Sequence, residues 1–418
     1  MPVLRGISSL VTCASPDGQD DIGAVSDAAL VWRDDEIVWV GPADRLPGFY
    51  GGEPVFDAGR RLVLPGLIDC HTHLAFGGWR AGEFADRIRG RSYLEIAAAG
   101  GGIASTVRET RRLSADALCA RARRFADEML TRGVCTVECK SGYGLDLETE
   151  LALLRAYREL DAAGPQRVVP TFLGAHVVAP EMKHDRAAYV DLVVEGMLPA
   201  VAGEGLARFC DVFVEEGAFT AGEARRIFET AGSLGLAAKL HADQLADGGG
   251  AAQAAEIGAV SADHLEFASP DGIAAMADAG VVAVTLPIAT LVLDQEPPPA
   301  RAMIDAGVAV AVATDFNPGT APSHDLTLAL VLACNRQRMT PAEVVKGATR
   351  YAARAVGREA DLGALEPGRA ADFVVLDAPD VDHWLYHYRA APAIATVIRG
   401  QLAWGGLDPV SGGSEPLG

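Results

Sequence analysis

The sequence predicts an α/β fold, a distorted (β/α)8 TIM-like barrel carrying a small β-sandwich domain built from both chain ends. Three observations lead there. From residue 60 onward, short β-branched runs alternate with segments rich in Ala, Leu, Arg and Glu at helical spacing, the pattern of parallel strands joined by crossover helices. Eight such runs can be counted in the 418 residues, and a closed barrel of that kind takes about 250. The runs also lack polar alternation, as in Val308-Ala-Val-Ala-Val-Ala-Thr314, which is how strands covered on both faces read.

In chain order, residues 1–62 alternate short strands and turns (Ala28–Arg33, Glu36–Val40, Pro54–Asp57). The barrel, residues 63–362 with its first strand starting slightly earlier, has strand candidates Arg61–Ile68, Val134–Cys139, Arg167–Leu173, Cys210–Val214, Ala237–Leu240, Ala259–Asp263, Val281–Leu286 and Val308–Ala313. Helical spacing fills the gaps, for example Ala115–Thr131, Glu148–Ala163 and Ala221–Ser233, and Glu343–Val356 follows the eighth strand. Residues 363–408 return to turn and strand, with Ala393–Arg399 and Gln401–Ala403 as strands. Together with 1–62 they are expected to form one composite β-domain. Residues 409–418, rich in Gly, Ser and Pro, read as a mobile tail.

Composition narrows the function. The 36 basic and 56 acidic residues give a net charge of −20, a field that repels phosphate backbones and anionic membranes; neither nucleic acid nor membrane is an expected partner. No apolar run reaches the roughly 18 residues of a membrane span, and the start Met1-Pro2-Val3-Leu4-Arg5-Gly6 lacks signal-peptide features, so a cytoplasmic address is expected. Seven cysteines without a Cys-x-x-Cys read as reduced core thiols. No Gly-x-Gly-x-x-Gly follows a strand and no Gly-x-Ser-x-Gly occurs, so neither nucleotide binding nor a serine hydrolase is supported.

Ionisable residues gather at the C-terminal ends of the runs: His71 and His73, Glu138 and Lys140, His176, Glu215, His241, His264 and Asp315. Barrel enzymes build their sites at that rim. An isolated His-x-His is usually a polar pair in a loop, but His71 and His73 project to one side of an extended chain. Joined by His241 and Asp315 they offer three imidazoles and a carboxylate, donors that suit zinc or iron.

The local motifs are His71-Thr-His-Leu-Ala-Phe-Gly-Gly-Trp-Arg80, Ala98-Ala-Gly-Gly-Gly-Ile103, Lys140-Ser-Gly-Tyr-Gly-Leu-Asp-Leu-Glu-Thr-Glu150, Thr171-Phe-Leu-Gly-Ala-His176, Lys239-Leu-His-Ala-Asp-Gln244, Ala262-Asp-His-Leu-Glu266 and Asp315-Phe-Asn-Pro-Gly-Thr320. With Pro65-Gly-Leu-Ile-Asp-Cys-His-Thr-His73 and Ala313-Thr-Asp315, they resemble the amidohydrolase superfamily and, within it, the imidazolonepropionase family. The resemblance implies a homodimeric hydrolase of L-histidine degradation that opens the ring of 4-imidazolone-5-propanoate to N-formimidoyl-L-glutamate. It implies one divalent metal ion per subunit, Zn(2+) or Fe(2+)/Fe(3+), held by His71, His73, His241 and Asp315. Arg80 would pair with the propionate, and Tyr93, Tyr143, His176, Gln244, Asn317, Gly319 and Thr320 would contact the small-molecule substrate. His264 would polarise the ring carbonyl. Where some members carry glutamate this chain has Gln244, an amide that cannot take a proton, so Asp315 is expected to be the base with His264 assisting. The stretch Leu286–Leu293 keeps the family's Leu-Pro without the Gly and aromatics often found after it. Two other readings stay open at this point: a single-metal deaminase of a cyclic amidine or nucleobase, and a non-catalytic metal-stabilised scaffold.

Overall fold

The computed structural model describes residues 1–91, 95–96 and 99–410. Eight parallel strands form the inner wall: β5 (Leu67–Thr72), β6 (Val134–Lys140), β7 (Arg167–Ala175), β8 (Phe209–Val214), β9 (Ala237–Ala242), β10 (Ser261–His264), β11 (Val282–Thr285) and β12 (Val310–Val312), paired in strict chain order. The short β12 does not pair with β5 as a full strand. Residues just beyond it close the ring instead: the Asp315 N–H donates to His71 O at 3.0 Å and the His73 N–H to Phe316 O at 2.9 Å. This closure places Asp315 beside the His71–His73 pair. The core runs on both faces of the wall, from Leu67, Val137 and Val212 to Leu154, Ile227 and Leu330, as parallel strands covered by helices require.

The expected first barrel strand, Arg61–Ile68, is two strands. Residues through Pro65 belong to β4 (Val55–Pro65) of the second sheet, and the barrel begins at Leu67. The cause is local. Pro65 has no N–H to continue a ladder, and Gly66 passes where a Cβ would lie 2.5 Å from Cys135 Sγ while its N–H donates to Asp372 O at 2.8 Å. The chain thus changes sheets within two residues and delivers His71 in register.

The second sheet takes strands from both ends: β1 (Val3–Val11), β2 (Ala24–Arg33), β3 (Glu36–Pro42) and β4, then β13 (Phe373–Leu376), β14 (Ala393–Ile398), β15 (Gln401–Gly405) and β16 (Asp408–Pro409). It is one continuous sheet in the order β15-β14-β13-β4-β1-β2-β3, with β16 on β4. The sheet curls over itself, so that the Ile37 N–H meets Arg369 O at 2.8 Å and Trp32 packs edge-to-face on Phe373 with ring centroids 5.1 Å apart. A separate core of Leu4, Leu30, Trp32, Phe56, Phe373 and Val397 fills the fold. The expected tail at 409–418 is corrected at its start: Pro409 pairs in β16 and the Val410 N–H donates to Val55 O at 2.9 Å. Residues 411–418 lie outside the described residues.

The helices expected over 115–131, 148–163 and 221–233 run Ala115–Leu130, Leu147–Ala163 and Ala221–Ser233. The expected single helix Glu343–Val356 is two, Pro341–Gly347 and Arg350–Ala355. The break falls at Thr349, whose hydroxyl bonds back to Val345 O at 2.7 Å, a competition with the helix ladder known for Ser and Thr. Among the described residues no helix is long and apolar enough to cross a membrane.

Candidate metal centre and active site

The barrel brings the five rim residues His71, His73, His241, His264 and Asp315 to one point. His71 Nε2 and His73 Nε2 lie 3.4 and 3.5 Å from Asp315 Oδ1. The His241 ring sits 4.6 Å from that of His71 and 5.4 Å from that of His264. Ligand atoms of two overlapping triads, His71–His73–Asp315 and His71–His241–His264, approach within 4.8 Å of one another. The backbone is strained to achieve this: His264, Leu265 and Asp315 have φ of 81°, 69° and 55°, conformations that cost non-glycine residues free energy and persist where neighbours enforce them. Here Leu265 and Asp315 are held by donating to Ala242 O and His71 O, each at 3.0 Å.

The donor set fits a metal ion. His71 Nδ1 bonds Asp263 Oδ2 at 2.7 Å and His241 Nδ1 bonds Asp211 Oδ1 at 3.0 Å. Each carboxylate places the imidazole proton on Nδ1 and leaves Nε2 bare, the arrangement found behind metal-binding histidines. His71 Nε2 is buried without a hydrogen-bond partner, a cost that a bound cation would remove. Electrostatics agree. Burial pushes His73 down to about 4 and His264 to about 3, so both imidazoles are neutral. Burial alone would raise Asp315, but His71 and His73 hold it well below the usual carboxylate range.

Beside the cluster a cavity of about 150 Å³ is lined by His73, Arg80, Tyr143, His176, His241, Gln244, His264, Asp315, Asn317 and Thr320, together with Ile103, Phe213, Leu245, Leu293 and Gln295. Arg80 is 7 % exposed. Its Nε and Nη1 have no hydrogen-bond partner, and its nearest carboxylate, Glu83, is 3.9 Å away. His176 stacks on His73 at 5.5 Å and bonds Gly142 O through Nδ1 at 3.0 Å. Tyr143 is carried by a loop wrapped around Glu150, whose buried carboxylate accepts the N–H groups of Gly142, Gly144 and Leu145 at 3.0, 2.7 and 2.9 Å. The Asn317 side chain lines the cavity but is occupied within its own turn: its Oδ1 accepts from the Gly319 and Thr320 N–H groups, both at 2.8 Å, and its Nδ2 donates to Asp315 O at 2.8 Å. Gly319 lies beneath Arg80. Gln244 is held by Gln295, which donates to its carbonyl at 3.2 Å, and by Glu215, which accepts the Leu245 N–H at 2.8 Å. Tyr93 lies outside the described residues. The stretch after Leu286 forms a helix, Pro287–Leu293, whose last residue reaches the cavity and whose Thr290 bonds Glu266 at 2.9 Å; burial pushes Glu266 up to about 8.

Sequence reading missed Asp211 and Asp263 as the residues behind the histidines. A signal existed for Asp211, a charged side chain inside the apolar run Phe209–Val214, since buried charges are rarely without a partner.

The chain is similar to known proteins over most of its length. Residues 62–403 match the amidohydrolase family model. The chain is 50 % identical over 392 residues to an imidazolonepropionase from Acidiphilium cryptum, covering 94 % of this chain and 96 % of that one. It is 47 % identical over 409 residues to an imidazolonepropionase from Symbiobacterium thermophilum, covering 96 % of each. In fold it is similar to the zinc complex of atrazine chlorohydrolase from Arthrobacter aurescens, with a TM-score of 0.69 at 20 % identity covering 98 % and 97 % of the two chains. A 5-methylcytosine deaminase from Klebsiella pneumoniae gives 0.74 at 16 % identity, covering 96 % and 97 %. Structures at such low identity show the fold alone, whereas the near full-length relatives share close to half of their residues: this chain belongs to the imidazolonepropionase family of the amidohydrolases.

Proposed function

We propose that this chain hydrolyses 4-imidazolone-5-propanoate to N-formimidoyl-L-glutamate in L-histidine degradation, using one metal ion held by His71, His73, His241 and Asp315. The observation that carries the substrate class is Arg80. A guanidinium buried in the cavity wall with no hydrogen-bond partner at Nε or Nη1 and only Glu83, 3.9 Å from Nε, near its charge calls for an anionic partner, and its planar fork suits a carboxylate bidentately. A neutral nucleobase offers none, so the deaminase reading is disfavoured.

When bound, zinc or iron supplies Lewis acidity, which brings the pKa of a water it holds to about 7 and polarises the attacked carbonyl. Arg80 anchors the propionate and so orients the ring. The ring lies toward Tyr143, His176 and Thr320. His264, a neutral imidazole, donates an N–H to the ring carbonyl oxygen as charge builds there. The Asp315 carboxylate takes the proton lost by the attacking water and passes it to the ring nitrogen as the carbon–nitrogen bond breaks. Gln244 accepts no proton and serves as a hydrogen-bonding wall. The water oxygen ends in the new carboxylate of the product.

The family implies a homodimer working in the cytoplasm, and the seven free cysteines accord with a reducing compartment. The test is incubation of metal-loaded protein with freshly made imidazolonepropionate while following the ring's ultraviolet absorbance. Loss of absorbance with appearance of formimidoylglutamate is expected; an unchanged spectrum rejects the substrate.

A further inference from the structure

Beneath the candidate metal centre lies a layer of charge that the proposed reaction does not use. Lys140 on β6, Asp211 on β8 and Asp263 on β10 point into the barrel from alternate strands, as the interior layers of such barrels are built. All three side chains are fully buried. The Lys140 Nζ donates to Asp211 Oδ2 at 2.7 Å and to Glu138 Oε1 at 2.8 Å, and lies 3.4 Å from Asp263 Oδ2. The carboxylates face the other way as well. Asp211 Oδ1 meets the His241 Nδ1 at 3.0 Å and also the His241 N–H at 3.2 Å. Asp263 Oδ2 meets the His71 Nδ1 at 2.7 Å, while its Oδ1 accepts from Ser261 Oγ at 2.7 Å. One ammonium therefore touches the two carboxylates behind two ligand histidines that stand on different strands.

We propose that Lys140 is a positioning residue of the metal centre: by clamping Asp211 and Asp263 together it aims both carboxylates at the Nδ1 atoms of His241 and His71 and thereby orients both Nε2 atoms toward one ion. A compact ammonium with three donors can serve three acceptors in this space. Without it Asp211 Oδ2 loses its closest donor in a site closed to water. The two carboxylates then face each other without the cation between them and are driven apart, and the two imidazoles lose their common register. Partners behind the ligands are worth about 10–100-fold in metal affinity, and a residue that governs two of them should reach that range although it touches no ligand.

The inference rests on the metal-centre reading, and the experiment separates the two. Full-length protein is stripped with a chelator and titrated with zinc against a chromophoric competitor, for wild type, Lys140→Met, Lys140→Gln and Lys346→Met. Lys346 is another fully buried lysine, which bonds the carbonyls of Asp17 and Asp21 away from the centre. Cobalt(II)-substituted samples are compared by visible absorption. The expected result is zinc affinity about 10–100-fold weaker in both Lys140 variants, with a displaced cobalt spectrum, while Lys346→Met matches wild type on both readouts even if it is less stable. Where Lys140→Met does not fold, Lys140→Gln, which keeps a polar head, carries the same comparison. Wild-type affinity and spectrum in the Lys140 variants, or an equal loss in Lys346→Met, overturn the positioning role alone. A wild type that takes up neither zinc nor iron(II) overturns the metal-centre reading and this role with it.

Discussion

A Cβ on Gly319 would lie 1.2 Å from Nη2 of Arg80 and 1.7 Å from its Cζ, so the guanidinium occupies the volume that any side chain at position 319 needs. The relationship ties the Asp315–Thr320 turn to the residue that reads the substrate's charge, and Asn317, which accepts the Gly319 N–H at 2.8 Å, keeps the turn from yielding. Gly319→Ala is therefore expected to move Arg80 out of its place and to copy Arg80→Met. Both should weaken substrate binding by about 2–4 kcal/mol, the cost of removing one partner of a buried charge pair, with metal content unchanged. Steady-state KM and elemental analysis of both variants check this. A normal KM in Gly319→Ala would free Arg80 from the proposed role or show that it has room elsewhere.

His241→Ala should lose the metal while the barrel survives. The imidazole stands above the apolar layers, and its partner Asp211 keeps Lys140 at 2.7 Å. Metal analysis after gel filtration decides, and full occupancy in the mutant removes His241 from the ligand set.

Glu150 is expected to act at a distance through the Tyr143 loop. In Glu150→Gln the amide oxygen can keep the place of Oε1, which accepts the Gly144 and Leu145 N–H groups, but its NH2 then replaces Oε2 and faces the Gly142 N–H. A buried donor left without an acceptor costs about 1–3 kcal/mol. We expect a lower urea midpoint of that size and a rise in KM larger than the fall in kcat, since the loop presents Tyr143 and, through Gly142 O, His176. Equal kinetics with lowered stability would make Glu150 purely structural.

The base assignment separates in three variants. Asp315→Asn should cost orders of magnitude in turnover, because it removes a ligand and the proton acceptor together. His264→Asn should retain metal and lose about 10²–10³ in rate, as for one oxyanion donor. Gln244→Glu should keep activity and alter only the pH profile. Turnover numbers corrected for metal content, measured across pH, check the order. If Asp315→Asn keeps its metal and turns over normally while His264→Asn is inactive, the proton acceptor is His264.

Chain spacing made part of this site legible. His71 and His73 are two residues apart on an extended segment, so their common side follows from strand geometry alone. The eight runs, with polar residues at one end of each, implied a barrel and its reactive rim before any contact was known. Helix 221–233 was readable from its helical spacing, and its start coincides with a capping box of Thr220 and Glu223, a purely local signal. The first barrel strand is misplaced when Arg61–Ile68 is read as one strand across Pro65-Gly66, and the packing of Gly66 on Cys135 and its bond to Asp372 show where one sheet ends and the other begins.

The sequence by itself determined the periodicity, the rim residues and the family motifs, since each is a property of neighbouring positions. The tertiary structure alone decided which carboxylate stands behind which histidine, that Lys140 joins Asp211 and Asp263, and that Arg80 fills the space over Gly319. Asp211 and His241 lie 30 residues apart, Lys140 and Asp211 71, and His71 and Asp263 192. Lys140, Asp211 and Asp263 meet because barrel closure brings alternate strands onto one interior layer, and the other pairs join different strands or rim loops; each is a condition of the ring as a whole that no local stretch of the chain encodes.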